Sequence, residues 1–558
     1  MSFFLSFCQV AGANIVSLHP FNATMPSKRG RRRHSDTSRV GSGSALPAAR
    51  EKATPPAAGA PAVAQPRTRK QAHQPATVRA LHKPTKAAAT GLGKVVATSF
   101  KVAPGKRGIW NPAVVNDGVL PWLAASAVDG RGSHENKLGA TVGASAVDGA
   151  APPPRPLVEL HRWAEAHKLR SLLKQLCRHA GLATHPTLSF ERWLCRAKLA
   201  EAQGGESPPP SVVAEPLLPL LPRAEPGLVG DLERAGLQHD AAAGIALQLA
   251  QASIAAAGRV AACGKHGGTV TGPKAQRGKQ RKRGKRRPAE PQVRVARHKH
   301  TMDVTLVGGQ LPKHLFKLNP VHWAKLAALF ARTRGGGEAA GHDVQAACED
   351  EASSLPAAVE FRSRVFTLLA RYHALQGPGF QAAVVEHAFG VLHDAMGVSL
   401  ECFASPLNCH FARFCSAFPD TDACFGSAGS FFDSHPLRGS FQANPPFIDT
   451  LMLAMARHIH RLLSNAATGQ LTKAQRAALA VAGAGAGAGA GGGSSTAGRG
   501  DAVGNGPRAL SFVVVVPGWT EDPGWQLLRK SRFKRAEWLI ARDDHGFCDG
   551  AQHQRRDR

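Results

Sequence analysis

From Pro156 onward, apolar residues return at three- and four-residue steps: Leu157, Leu160, Trp163 and Ala164, then Leu169, Leu172, Leu173 and Leu176. That period predicts a helix with one buried stripe. A second helix is predicted over Ser189–Ala202, with Ser189 as its cap. Beyond a proline-rich connector at Ser207–Pro226, an alanine-rich helix is predicted from Asp240 to Ala262. Between Asp303 and Ala331 the pattern predicts a strand pair, Val304–Val307 and Lys313–Leu318, and then a helix from near Pro320. Further helices are predicted over Ala357–Leu375 and Ala382–Met396.

The pattern then becomes α/β. Ser399–Ala404 reads as a buried strand, Ser405–Asn408 as the loop after it, and Asn408–Phe418 as a helix. Gly439–Ala443 is a second strand. Asp449–Asn465 is a helix with Leu451, Met455, Ile459 and Leu462 on one face. Ser511–Val516 is the plainest strand in the chain, and Pro517-Gly518-Trp519 ends it. Strands alternating with helices predict a parallel or mostly parallel sheet, with active loops beyond the carboxyl ends of the strands. The loops at Ser405–Asn408, Asn444–Phe447 and Pro517–Trp519 are therefore expected on one edge.

Composition limits how much of the chain belongs to this pattern. The 558 residues include 58 Gly and 39 Pro, with 6% aromatics, a balance expected to leave roughly half to two-thirds of the chain folded. Residues 1–155 read as a disordered basic region. An Ala/Gly run, Ala482–Gly493, lies in an insertion over 466–509. The formal net charge of +31 favours a polyanionic partner, since Lys and Arg neutralise phosphates and release counterions. Its strongest run, Lys274–Arg287 in a linker over 274–288, reads as an RNA-binding arm or nuclear-import signal. Val398–Asn465, with five acids against four bases, is near neutral.

Met1–Ala48 holds one acid, Asp36, and an arginine cluster at Arg29 and Arg31–Arg33. That suits a nuclear tail, with an organellar transit peptide as the alternative. No uninterrupted apolar run reaches membrane-spanning length, so no membrane partner is expected. Trp110 and Trp122 are closer together than the tryptophans of a WW domain, without a three-strand pattern around them. Cys402, Cys409, Cys415 and Cys424 lie beside His410 but lack a short zinc knuckle, so buried free thiols are expected and no metal.

The chemistry centres on Asn444-Pro445-Pro446-Phe447. An amine conjugated to a ring is a poor nucleophile until its lone pair is drawn out of the ring plane. The Asn444 side-chain oxygen and the Pro445 carbonyl can accept its two hydrogens. The prolines stiffen the loop, and Phe447 offers a face for a base to stack on. Such motifs serve adenine N6, cytosine N4 and glutamine amides alike, so the motif alone does not name the substrate. No Gly-x-Gly loop is present. Ala404, Ser405, Pro406 and Asn408 stand in its place as candidates for S-adenosylmethionine, with Asn444. Asp420, Asp422 and Asp433 are candidates for its ribose.

The run Glu401–Asp422 closely resembles the phosphorylated-CTD-interacting factor family, the cap-specific adenosine N6-methyltransferases, and the likeness continues through Gly439–Phe447, Phe512–Trp519 and Ser531–Arg535. The resemblance implies a class I, Rossmann-like methyltransferase domain over 301–558, preceded by a mainly helical cap-binding region over 156–300. It implies S-adenosylmethionine as methyl donor and 7-methylguanosine-capped mRNA as substrate. Ser189–Trp193 looks like a cap-side motif, which implies Arg192 as a substrate contact and Trp193 as a stacking partner, and a one-residue shift in the alignment further on makes Arg223 a second candidate contact. Asp449 stands where the family has Glu, and Trp519, Arg532 and Lys534 fall in matching segments as further substrate contacts. Two departures stand out. A chain without a WW domain is not expected to engage the RNA polymerase II tail. The family continues past Ala551–His553 with more sheet-forming sequence, so this domain is expected to be cut short at its carboxyl end.

Overall fold

The structure, a computed structural model, describes residues 3–10, 154–202, 215–265, 291–308, 314–334, 337–375, 382–476, 510–541 and 545–548, with short gaps, and a few residues within 95–100. The basic run at 274–288, the Ala/Gly run, Trp110, Trp122 and most of 1–155 lie outside the described residues.

Helices α1 (Pro156–His179) and α2 (Ser189–Ala202) follow the expected apolar period, α3 (Pro226–Arg234) is a helix not expected from sequence, and α4 (His239–Lys265) covers the expected alanine-rich helix. Ser189 does not cap α2. It lies inside the helix, and its hydroxyl donates to the Pro186 carbonyl at 2.8 Å, after Leu188 turns the chain at φ 63°. α4 is long and apolar enough by length and composition to cross a membrane. Its Leu249, Ala256 and Val260 are buried in the helical core.

A three-stranded antiparallel sheet comes next: β2 (Gln292–Arg297), β3 (Met302–Val307) and β4 (His314–Leu318). Only the last two are expected from sequence. Helices α5 (Pro320–Thr333), α6 (Gly337–Glu349) and α7 (Pro356–Ala374) lead to a short strand, β5 (Ala383–Val384), and α8 (Glu386–Met396). The largest core cluster joins Leu160–Val260 to Met302–Ala374 and to Leu407–Phe425. Packing therefore runs straight across the expected boundary at 300.

Among the described residues the main sheet has six strands. β6 (Val398–Ala404), β7 (Phe414–Ser416), β8 (Gly439–Ala443), β9 (Leu510–Pro517), β10 (Lys534–Ile540) and β1 (Phe3–Val10) stand in the order β10-β1-β9-β8-β6-β7. β6, β7, β8 and β9 are parallel. β1 is antiparallel to both neighbours, so β10 runs in the same direction as β9. The result is a mixed α/β fold around a mainly parallel sheet. Phe3–Val10, within the region expected to be disordered, is a strand of this sheet between β9 and β10.

Both faces of this sheet are covered, which is why β9 reads as an unbroken apolar run. Phe512, Val514 and Val516 face α9 (Asp449–Thr468) and α10 (Pro523–Lys530). Val513 and Val515 pack with Phe389 and Leu392 of α8.

Asn408–Phe418 is not a helix. The carboxylate of Glu401 accepts the N–H groups of His410 at 2.6 Å and Phe411 at 3.1 Å, which takes those donors out of any helical ladder. The chain passes instead through a turn into β7.

Candidate functional site

Parallel strands gather their carboxyl ends, and the loops after β6, β8 and β9 meet at one edge of the sheet as expected. Glu401 is level with Gln442, and Ala443 is level with Val514. Asn444–Phe447 leaves β8 there and enters α9.

Asn444 is held in one orientation. Its Nδ2 donates to the Ala382 carbonyl at 3.3 Å. Only the nitrogen can donate, so the oxygen is the outward atom. That Oδ1 is buried and has no hydrogen-bond partner among the described residues. Next along, the Pro446 carbonyl is taken by the Ile448 N–H at 2.8 Å. The Pro445 carbonyl accepts no backbone N–H among the described residues. Neither acceptor has a partner of that kind among the described residues. Phe447, half-buried, meets Phe547 of β11 (Phe547–Cys548) edge to face, with centroids 6.1 Å apart. Asp449 lies exposed in the first turn of α9, its carboxylate accepting the Thr450 N–H at 2.7 Å.

The loop after β6 is built as a closed turn. Asn408 Oδ1 accepts the backbone N–H of Ser405 at 2.7 Å and its hydroxyl at 2.9 Å. Ser405 and Pro406 are buried, while Ala404 and Asn408 are half-buried. A buried carboxylate and ammonium brace the turn from below. Lys325 donates to the Cys409 carbonyl at 2.7 Å, and burial pushes Glu401 up to about 7 against its two backbone donors and Lys325. Burial lowers Lys325 in turn. Neither residue is a sequence-predicted site residue. The available signal is an acid in the middle of an apolar strand, which rarely survives burial unless something pairs with it.

Among the ribose candidates, Asp422 is completely buried and accepts the Tyr372 hydroxyl at 2.5 Å. Burial pushes it up to about 7. Asp420 is held by both nitrogens of Arg371 at 3.0 and 2.9 Å and keeps half its side chain exposed. Asp433 is exposed.

The substrate candidates divide. Trp519 follows β9 at the site edge, half-buried against the core. Arg532 and Lys534 are at the other end. Lys534 is level with Cys8, and Cys8 with Phe512, roughly 16 Å short of the strand's carboxyl end at the usual rise per residue. Lys534 also donates to Glu537 at 2.6 Å, and Arg532 lies over the Phe533 ring. The structure does not bring these two to the site. Arg192 is bound to Asp231 at 3.0 Å, and Arg223 is exposed just ahead of α3. Trp193 is 1% exposed and packs against Phe190, which rules out stacking on a ligand. α2 itself touches α9, so the helical region abuts the helix that carries the Asn444 loop.

The four cysteines fall in separate cores, Cys402 and Cys415 in one, Cys409 in another with Cys424 against its margin. Burial pushes Cys409, Cys415 and Cys424 up to about 12.

Asn-Pro-Pro-Phe at the end of a parallel strand, with its side-chain oxygen left unpaired, is the arrangement whose relatives decide the reading. The chain is similar to the phosphorylated-CTD-interacting factor family. A family model described as "Phosphorylated CTD interacting factor 1 WW domain" matches residues 325–474, which contain the whole β6–β8 segment and most of the site. The human mRNA (2'-O-methyladenosine-N(6)-)-methyltransferase is 39% identical over 201 residues, 35% of this chain and 23% of that relative. The mouse protein of the same name is 38% identical over the same length. The matched stretch thus spans under a quarter of these relatives. The expectation of a family member without a WW domain is corrected by the model that matches at 325–474. The tryptophan spacing around Trp110 and Trp122 looks in the wrong part of the chain.

Proposed function

We propose that this protein transfers a methyl group from S-adenosylmethionine to N6 of the adenosine next to the cap of 7-methylguanosine-capped mRNA; its human and mouse relatives are named for N6-methylation of 2'-O-methyladenosine in mRNA. The observation that carries the reading is Asn444. Its nitrogen is committed to Ala382 and its buried oxygen is unpaired among the described residues, which is the state an acceptor of an amine hydrogen requires. A buried acceptor without a partner is costly, and an incoming N–H removes that cost.

The donor, when bound, supplies an electrophilic methyl on sulfonium. The Ala404–Asn408 turn and Asn444 would hold it at the strand ends. Asn444 Oδ1 and the Pro445 carbonyl accept the two N6 hydrogens and draw the nitrogen lone pair out of conjugation. Phe447 stacks under the ring and fixes its distance. Once the new bond forms, the nitrogen proton is acidic and leaves without a strong base. The strand order, with one antiparallel strand between β9 and β10, supports a class I, Rossmann-like reading. The WW-domain description of the matching family model supports the RNA polymerase II tail as a partner. A nuclear location accords with that partner.

The test uses labelled S-adenosylmethionine with matched RNAs beginning in adenosine, capped and uncapped, and the Asn444→Ala variant. Cap-dependent N6-methyladenosine, falling by about 10²–10³ in the variant, is expected. Equal label on both RNAs would keep the chemistry and remove the cap. RNA binding without label would leave a binding protein.

A further inference from the structure

We infer that Phe547 is a positioning residue for the reaction proposed above, and that β5 and β11 together bracket the Asn444–Phe447 loop from outside the main sheet. The inference rests on that reading of the loop. β10 ends at Ile540, level with Phe3 and hence with Pro517. The chain therefore leaves β10 at the same edge where Asn444 leaves β8, and Phe547 follows within reach of it.

β11 pairs antiparallel with β5, Phe547 opposite Val384 and Cys548 opposite Ala383. Val384 is buried in the core beneath the sheet, and Phe547 packs against the same cluster. This small sheet touches both ends of the motif. Immediately before β5, the Ala382 carbonyl receives Asn444 Nδ2. From β11, the Phe547 ring meets Phe447 at 71°, and the His545 ring meets Phe547 at 5.8 Å. One pairing thus sets the direction of the acceptor oxygen and the plane of the ring on which a base stacks. Edge-to-face contact constrains ring orientation as well as distance. Loss of Phe547 leaves the Phe447 ring without that constraint while Asn444 keeps its chemistry.

The experiment compares full-length wild type, Phe547→Ala, Phe547→Leu and Phe547→Tyr. Misplacing a reacting group by about an ångström costs on the order of 10²-fold. Phe547→Leu, which keeps the apolar contact with the core, is accordingly expected to lower kcat by about 10–100-fold with KM for S-adenosylmethionine unchanged and a melting temperature close to wild type, and Phe547→Ala to lower kcat as far with some loss of melting temperature. Phe547→Tyr restores kcat. Wild-type kcat in Phe547→Leu, or losses in all three variants that track their melting temperatures, would overturn the assignment.

A second readout is independent of turnover: quenching of 2-aminopurine placed at the first transcribed position of a capped RNA. Quenching by wild type that weakens in Phe447→Ala and equally in Phe547→Leu supports the bracket even if no methyl is transferred, in which case the functional reading alone fails. Undiminished quenching in Phe547→Leu, or none with wild type, removes the bracket.

Discussion

At Asn444 the side-chain amide is split between two tasks, and substitutions separate them. Asn444→Asp keeps an acceptor but loses the donor to Ala382 and faces that carbonyl with negative charge. It is expected to bind RNA like wild type and to lose about 10²-fold or more in kcat, measured under single-turnover conditions. A second residue-scale contact lies deeper. Tyr372 donates to Asp422, and both are fully buried. Tyr372→Phe leaves a buried carboxyl short of a partner and should cost about 1–3 kcal/mol in urea unfolding. Residue identity alone could not sort these roles. Trp193 and Arg192 sit side by side in the sequence, yet one is core and the other is bound to Asp231. A helical period shows that a face is buried, and only packing shows which member of the pair lies on it.

Elements with a long, regular pattern were legible: β6, β8, β9, α2 and α9 fall within a few residues of expectation, because burial on one or both faces imposes a period on the sequence. β5, β7 and β11 were not, since two or three residues carry no period and exist only through partners elsewhere. Arg532 and Lys534 show a related limit. A matching segment names residues without saying which end of a strand they occupy, and here they occupy the end away from Asn444. Helix packing offers an element-scale prediction. A Cβ at Gly524 would lie 2.7 Å from backbone atoms of Met452 and Leu453, so α10 presses backbone to backbone on the helix that follows the site. Gly524→Ala is expected to destabilise by about 1–3 kcal/mol, visible as a lower melting temperature and, because α9 starts at Asp449, as weaker RNA binding.

Across the whole molecule, buried titratable groups pull in opposite directions with pH. Burial holds His167, His410 and His458 down to about 4. Between about 6.5 and 4 the unfolded chain binds more protons at these sites, so stability falls as pH falls. Glu401 and Asp422 are raised to about 7. From the ordinary carboxylate range up to 7 the native state binds more protons there, so their contribution is lost as pH rises. The two groups partly offset each other. Glu401→Gln removes one opposing site, and its urea midpoint is expected to drop more steeply than wild type between pH 6.5 and 4.5.

The strand Phe3–Val10 carries a consequence for how the chain is made. Its partners are β9 and β10, with Phe3 opposite both Pro517 and Ile540. Residues 3–10 must therefore wait for residues 510–540 before they find their place. Pairings so distant in sequence are slow, and an unpaired strand edge is prone to capture by other chains in the interval. Folding is thus expected to include a late insertion step, in which an early segment threads between two later ones. Removing residues 1–12 should divert the protein into aggregates during expression, because β9 and β10 then present unpaired edges.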